Sequence, residues 1–124
     1  MKEVISTKNA PGAIGPYSQG IKVGNLVFTS GQIPLNPANG EMAETIEEQT
    51  KQALENVKAI LEESGTCMDN VIKTTVFLTD LNDFTKMNDI YATYFTGEKP
   101  ARSAIEISKL PKDAKIEIEA IATI

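Results

Sequence analysis

Residues 99–124 read KPARSAIEISKLPKDAKIEIEAIATI, and the alternation of apolar and polar side chains in this stretch decides the fold that we predict. Two alternating runs flank Leu110-Pro111-Lys112-Asp113, a pattern typical of two strands joined by a short connection. Alternate residues of a strand point to the same face, so Arg102, Ala104 and Glu106 share one face of the first strand.

The second run has an apolar face and a charged face. Every other residue of Ile116–Ala122 is apolar, and Glu117 and Glu119 lie on the opposite side. If the two strands pair antiparallel, Arg102 and these carboxylates share one sheet face. Arg102 is the only arginine among twelve basic residues, and its planar guanidinium can bind a carboxylate in two places at once. The alternative is an ordinary cross-strand ion pair with Glu117 or Glu119.

Length and composition predict one domain spanning residues 1–124. The chain is 41% hydrophobic and 23% charged, which is ordinary for a soluble globular protein. It has no apolar run near the roughly 20 residues that a membrane span needs, and its first residues lack the apolar core of a signal peptide. The single cysteine, Cys67, cannot form an internal disulfide. We therefore expect a cytoplasmic protein.

Charge and residue types exclude much of the usual chemistry. The net charge of −5 and pI of about 4.7 disfavour nucleic-acid binding, which depends on a basic surface. The absence of histidine excludes Ser-His and Cys-His nucleophile pairs and histidine metal sites, and one cysteine cannot build a zinc-thiolate site. Any chemistry must therefore use carboxylates, hydroxyls, amides, backbone groups, Tyr, Lys, Arg and water.

The pattern along the chain predicts an α+β domain with two helices packed on one face of a mixed sheet. The predicted strands are residues 2–6, two strands in 20–29 around Gly24-Asn25, 71–79 and the two near the carboxyl end; the predicted helices run from the capping box Thr45–Glu48 to Ser64 and over Phe84–Phe95. The other sheet face carries Ile and Thr as well as charges. Another copy of the chain would cover it most simply, so we expect a homo-oligomer.

Several residues outside the carboxyl-terminal stretch are candidates for a binding site, each with a plainer alternative. Tyr17 follows a Gly-Pro pair in an irregular loop, where it could be an aromatic lid over the core. Ser30-Gly31 at a strand end permits close approach of a ligand to the backbone, or is a bulge before a turn. Asn88 lies off the apolar stripe of the second helix and could be an ordinary surface residue.

The chain resembles the Rid/YjgF family, and most closely its reactive-intermediate deaminase A branch. The motifs that carry the resemblance are Ala13–Gly20 (AIGPYSQG), Thr29–Pro34 (TSGQIP), Lys73–Phe77 (KTTVF), Pro100–Ser103 (PARS) and Leu110–Asp113 (LPKD) leading into Ile116–Ala122 (IEIEAIA). Together they cover nearly the whole chain without large gaps.

That resemblance implies a fold, an assembly and a reaction. The fold is chorismate-mutase-like and forms a homotrimer with ligand clefts between adjacent subunits. The reaction is hydrolysis of 2-imino acids, such as 2-iminobutanoate and 2-iminopropanoate, to 2-oxo acids and ammonia without a cofactor. These imines, released by pyridoxal-phosphate-dependent dehydratases, damage other pyridoxal-phosphate enzymes when they persist.

The resemblance also implies roles for individual residues. Arg102 matches the arginine that holds the substrate carboxylate, and Glu117 matches the glutamate that activates water; we expect a nearby Arg102 to favour the ionised form of Glu117. Tyr17, Ser30, Gly31 and Asn88 match residues that line the cleft.

At Ala104 the chain departs from the family pattern. Many members of this branch read Arg-Ser-Cys where this chain has Arg102-Ser103-Ala104. A thiol role is therefore impossible at position 104, but a role for its backbone remains, and Ala104 stays among the candidate substrate-binding residues. We expect imine hydrolysis to persist.

Two other functions stay open at this point. One is a non-catalytic module that binds small 2-oxo acids, since the same arginine would bind a carboxylate in either case. The other is a ribonuclease or translation inhibitor, which the acidic charge and the single arginine disfavour.

Overall fold

A computed structural model describes all residues from 1 to 124, and its elements follow the predicted order. The strands are β1 (Glu3–Ile5), β2 (Gly20–Val23), β3 (Leu26–Thr29), β4 (Val71–Leu78), β5 (Ala101–Glu106) and β6 (Ile116–Thr123), and the helices are α1 (Ile46–Glu63) and α2 (Phe84–Tyr94). Single 3-10 turns occupy Met68–Asn70, Leu81–Asp83 and Pro111–Asp113. Neither helix combines the length and the apolar character that crossing a membrane would require.

All six strands form one mixed sheet in the order β1-β2-β3-β6-β4-β5. β4 and β5 are parallel, and every other neighbouring pair is antiparallel. α2 connects the two parallel strands, since a parallel pair needs a long crossover rather than a tight turn. The predicted α+β class, with a mixed sheet and two helices, is confirmed.

The last two strands do not pair with each other, so the condition under which Arg102 and the carboxylates of the last strand would share a sheet face is not met. β5 pairs only with β4, and β4 pairs on its other side with β6, so that Thr74 lies between Arg102 and Ala120. Alternation along a strand identifies the strand but not its neighbour. Here the crossover through α2 places β5 at the sheet edge, and β6 takes the central position.

Both ends of α1 have the local structure that the sequence predicts. The Thr45 hydroxyl accepts a hydrogen bond from the Glu48 backbone N–H at 3.2 Å, which caps the first turn. At the other end Gly65 has a φ of +93°, and the N–H groups of Gly65 and Thr66 donate to the carbonyls of Glu62 and Leu61. This is the Schellman arrangement, and it favours glycine because its left-handed residue is strained by a side chain.

The core lies between the sheet and the two helices. The alternate residues of β6 that begin at Ile116 are buried, and the residues between them are partly exposed on the far side of the sheet. The largest fully buried apolar side chains come from both helices and from β3, β4 and β6: Val27, Leu54, Val57, Ile60, Leu61, Val76, Leu78, Met87, Ile116 and Ile118. We call this side the helix face and the other side the open face.

The open face carries apolar side chains that no element of the chain covers. Val4, Val23, Phe28 and Ile105 are 60%, 41%, 39% and 44% exposed, and the strand registers place all four on this face. They lie on four different strands, so the apolar character extends across the sheet. This surface agrees with the prediction that something covers the second face.

Gly20 provides a test of how tightly the helices pack on the sheet. A Cβ at Gly20 would lie 2.8 Å from the Ile60 Cγ2 atom of α1 and 3.3 Å from the Phe28 carbonyl oxygen. Overpacking a filled core costs roughly 1–3 kcal/mol, so Gly20→Ala should lower the free energy of unfolding by about that amount. Urea denaturation at one protein concentration measures it. The control is Gly12→Ala, whose Cβ meets nothing within 4 Å; equal midpoints for the two variants would contradict the packing.

Candidate functional site

Arg102 lies on the helix face of β5, against α2. Its Nη1 donates a hydrogen bond to the Asn88 Oδ1 atom at 2.7 Å. The guanidinium carbon is 5.3 Å from the centroid of the Phe84 ring and 4.8 Å from that of Tyr91. Spacings of four and three residues place Phe84, Asn88 and Tyr91 on one stripe of the helix, and this stripe faces Arg102. Asn88 is therefore not an ordinary surface residue.

No carboxylate neutralises Arg102. The only ion pair within 4 Å in the chain joins Lys109 and Asp113, at 3.8 Å. The alternative prediction, an ion pair between Arg102 and Glu117 or Glu119, is wrong. A guanidinium has five N–H donors, and Arg102 uses one of them within the chain. A partly buried cation with free donors can bind an anion.

Ala104 lies on the same strand, two residues beyond Arg102 and on the same face. Its side chain is partly buried and packs against the core cluster. Its part in substrate binding stays a prediction.

Glu117 lies on the open face of β6, at a cleft of about 600 Å³. Tyr17, Ser30, Gly31 and Lys112 line it together with Glu117, and we call it the Glu117 cleft. Its walls come from the loop before β2, the segment after β3 and the turn before β6. The candidate binding residues Tyr17, Ser30 and Gly31 thus lie beside Glu117, which is far from them in the sequence.

A β-bulge brings Gly31 against Glu117. Phe28 pairs with Ile121 and Gln32 bridges Ile118, so three residues of one strand lie opposite two of the other. A Cβ at Gly31 would lie 2.7 Å from both the carboxyl carbon and Oε2 of Glu117. The bulge interpretation of this segment is therefore confirmed, and the group that approaches the Gly31 backbone closely is the Glu117 carboxyl. Approach of a ligand to this backbone stays a prediction.

The hydroxyls of the bulge replace ladder hydrogen bonds. Thr29 Oγ1 accepts from the Ala120 N–H at 3.0 Å, and Ser30 Oγ donates to the Ser18 carbonyl at 2.6 Å. The Ser30 backbone N–H donates to the Gln19 carbonyl. Ser30 is therefore tied to the loop that carries Tyr17.

Tyr17 is 51% exposed and faces the Glu117 cleft, so its interpretation as a lid over the core is wrong. Its loop is held from beneath by the buried side chain of Gln19. The Gln19 amide nitrogen donates to the carbonyls of Thr7, Ala10 and Pro11, and its oxygen accepts from the Thr7 N–H at 2.7 Å. The Gln19 amide and Ser30 thus hold the loop that forms this wall of the cleft.

Burial raises the pKa of the Glu117 carboxyl, and the negative charge of neighbouring Glu119 raises it further. The expected lowering of this pKa by Arg102 does not occur within one chain, because the arginine lies on the other side of the sheet. No three carboxylate or thiol side chains converge as metal ligands do.

Within one chain, Arg102 and Glu117 cannot contact one small molecule. Arg102 is across β4 from Ala120, three residues from Glu117 along β6. Strand spacing and rise place their Cα atoms about 14 Å apart, and the two side chains leave opposite faces of the sheet. The structure therefore contains two half-sites: the Arg102 group (Arg102, Phe84, Asn88 and Tyr91) and the Glu117 cleft.

Sequence reasoning missed some of the residues that shape these half-sites. Phe84 and Tyr91 were assigned only to the core stripe of α2, and Gln19 and Thr29 had no role. The spacing of Phe84, Asn88 and Tyr91 does put the amide on the aromatic side of the helix, so that signal was present. Nothing in the sequence shows which carbonyls Gln19 binds.

Comparisons with known proteins place this chain among close relatives. The family model described as Endoribonuclease L-PSP matches residues 7–124. A RutC family protein of Pyrococcus horikoshii is 61% identical, and the 2-iminobutanoate/2-iminopropanoate deaminase of Escherichia coli is 53% identical; in each case 98% of both chains is covered. The crystal structure of E. coli TdcF with bound serine is 48% identical, with a TM-score of 0.95 over 98% of each chain.

Gly31→Ala should move the Glu117 carboxylate while leaving the fold intact. The atoms that its Cβ would meet are the far end of a flexible side chain rather than backbone. We expect a change in the free energy of unfolding of less than about 1 kcal/mol and a displaced Glu117 carboxyl group. Urea denaturation and a crystal structure of the variant measure these effects. An unmoved carboxylate would contradict the close approach.

Glu119→Gln should lower the pKa of Glu117, because it removes the neighbouring negative charge. Burial, the larger cause of the upward shift, is unchanged in this variant. NMR titration of the Glu117 side-chain carboxyl carbon measures the shift. Glu98→Gln, at an exposed loop, is the control and should leave the titration of Glu117 unchanged. An unchanged pKa in Glu119→Gln would exclude charge coupling between the two carboxyls.

Proposed function

The chain belongs to the Endoribonuclease L-PSP family, which is the Rid/YjgF family, and from this membership we propose that it is a reactive-intermediate deaminase. It hydrolyses 2-imino acids, with 2-iminobutanoate and 2-iminopropanoate as substrates, to 2-oxo acids and ammonia. The relatives named for this activity in E. coli and Salmonella typhimurium are 53% and 54% identical to it over 98% of each chain.

The observation that carries the proposal is the unneutralised guanidinium of Arg102. A 2-imino acid has a carboxylate beside its C=N bond, and a planar fork binds a carboxylate through two parallel hydrogen bonds. Asn88 occupies one donor of the fork, which leaves others for the substrate. The relative TdcF, whose crystal structure contains serine, binds a molecule that also carries a carboxylate.

Glu117 is the group that activates water. Its carboxylate takes a proton from a water molecule as the water oxygen bonds to the carbon of the protonated imine and the C=N π electrons move to nitrogen, which gives a neutral tetrahedral carbinolamine. The Glu117 carboxyl group then returns this proton to the amine nitrogen. The C–N bond breaks and ammonia leaves as the carboxylate takes the hydroxyl proton and the C=O bond forms. A base must be ionised to accept a proton, and within the isolated chain burial raises the pKa of the Glu117 carboxyl and so opposes its ionisation.

Two copies of the chain complete each site. Because the half-sites lie on opposite faces, the Arg102 group of one subunit must meet the Glu117 cleft of its neighbour. Arg102, Asn88 and Ala104 then come from one chain, and Tyr17, Ser30, Gly31 and Glu117 come from the other. The uncovered apolar side chains of the open face supply a surface for this association, and the assembly that we propose is a homotrimer with three such sites.

This arrangement also changes the electrostatics of Glu117. A positive charge from the neighbouring subunit favours the ionised carboxylate, and this opposes the effect of burial. In the assembled protein the pKa of Glu117 should therefore be lower than in an isolated chain. The sequence-based expectation about Arg102 and Glu117 then holds between subunits rather than within one.

A non-catalytic module that binds 2-oxo acids is the second candidate, because the free guanidinium of Arg102 would bind a carboxylate with or without turnover. The role of Glu117 separates the two functions. The ribonuclease activity in the family name finds no support in this chain, whose net charge is −5 and whose only arginine packs against α2.

The proposed activity is tested by coupling the protein to a threonine dehydratase and following release of 2-oxobutanoate from the imine. The wild-type protein should accelerate release over buffer. Arg102→Ala should lose binding, since charge-assisted hydrogen bonds contribute about 1.5–3 kcal/mol each, or more than tenfold in affinity. Glu117→Gln should lose turnover and still bind 2-oxobutanoate. If the wild-type protein binds 2-oxobutanoate but does not accelerate its release from the imine, the enzyme is excluded and the non-catalytic binding module is supported.

Mixed oligomers of the two inactive variants test the shared site. In a one-to-one mixture of Arg102→Ala and Glu117→Gln subunits, about a quarter of the sites between subunits combine an intact arginine with an intact glutamate. The unfractionated mixture should therefore restore about a quarter of the wild-type activity, and mixed trimers isolated through two different tags about a third. A site built within one chain would recover none.

A further inference from the structure

Behind the guanidinium of Arg102 lies a buried pair of hydroxyl groups. The oxygens of Thr74 and Tyr91 are 2.7 Å apart, and the two residues are 1% and 6% exposed. Burial raises the pKa of Tyr91, so its hydroxyl stays neutral. The proposed reaction assigns these two hydroxyls no role.

The sheet register explains why this pair lies beside Arg102. Thr74 on β4 is the direct partner of Arg102 on β5, and both side chains project from the helix face. The Tyr91 hydroxyl is therefore bonded at β4 while its ring lies 4.8 Å from the guanidinium carbon on β5. Phe95 packs against the same ring, with a centroid distance of 4.6 Å. The ring is held at its hydroxyl and along its side.

A held ring constrains the arginine. The arginine side chain has several rotatable bonds, and its fork matches a carboxylate only in the correct plane. The amide oxygen of Asn88 fixes one end of the fork at 2.7 Å, and the aromatic rings of Phe84 and Tyr91 restrict the plane. One hydrogen bond alone would leave rotation about it free.

We propose that Thr74 and Tyr91 are positioning residues, whose hydroxyl pair fixes the aromatic surface that orients the Arg102 fork towards the substrate carboxylate. The proposal rests on the carboxylate-binding role given to Arg102 above. It assigns a purpose to a polar pair in the core, where two apolar groups of the same shape would pack equally well.

The double variant Thr74→Val/Tyr91→Phe tests this proposal. Each single variant leaves one buried hydroxyl without a partner and should lower the free energy of unfolding, whereas removing both hydroxyls is close to neutral. A purely structural pair would therefore regain wild-type binding in the double variant. A positioning pair would not: the Kd for 2-oxobutanoate and the KM for the imino acid should stay about three- to tenfold higher, with kcat changing less.

Calorimetry, steady-state kinetics and urea denaturation on the assembled protein measure these quantities. Tyr94→Phe is the matched control, because Tyr94 lies on the same helix but its hydroxyl binds Glu55; its Kd should equal that of the wild type. In an Arg102→Lys background, which has no planar fork, the double variant should weaken binding no further. If the double variant raises the Kd in the Arg102→Lys background by the same factor as in the wild type, the proposal is overturned.

The remaining outcomes separate this inference from the proposed function. A double variant that is as stable as wild type and binds 2-oxobutanoate equally well would overturn the positioning role while leaving the deaminase proposal intact. Weakened binding in a protein that shows no turnover would support positioning and exclude the deaminase. A wild-type protein that binds no small carboxylate would overturn both.

Discussion

Strand β4 separates the two groups on which the chemistry depends. It hydrogen-bonds to β5 on one side and to β6 on the other, so Arg102 and Glu117 are two strand spacings apart. The pleat then sends one side chain towards the helices and the other away from them. No rotamer change can overcome this arrangement, because it is set by the backbone. A reaction that needs both groups therefore needs two copies of the chain.

Each half-site contains a charged group that no opposite charge stabilises within the same chain. The charge of Arg102 has no carboxylate partner and is stabilised by aromatic rings and an amide oxygen. The carboxyl group of Glu117 is partly buried beside Glu119, which raises its pKa. In the proposed assembly Glu117 would lie near the positive charge of Arg102, and Arg102 would lie near Glu117 and the substrate carboxylate. Each charged form would then be stabilised by an opposite charge. In the proposed assembly, association and substrate binding would therefore be linked.

The supports of the two half-sites are of different kinds. Arg102 is oriented by a stripe of one helix, whose spacing is regular, and by a hydroxyl pair that crosses to β4. The carboxyl group of Glu117 lies against backbone. A β-bulge places Gly31 beside it, and Gly31 has no side chain that would prevent the close approach. The loop of Tyr17 is held by the side-chain amide of Gln19 and by the hydroxyl of Ser30. Substitutions at such supports can change binding without touching the ligand.

The sequence by itself determined the elements, because their signals are local. Alternation found the strands, the Thr45 cap and Gly65 stop bounded α1, and the motifs around Arg102 and Glu117 identified the family. The tertiary structure decided which strands are neighbours, on which face each candidate residue lies and what surrounds it. For that reason the alternatives that made Asn88 an ordinary surface residue and Tyr17 a lid over the core were wrong. Strand neighbours and side-chain surroundings depend on contacts between residues far apart in the chain, and periodicity along one strand carries no record of them.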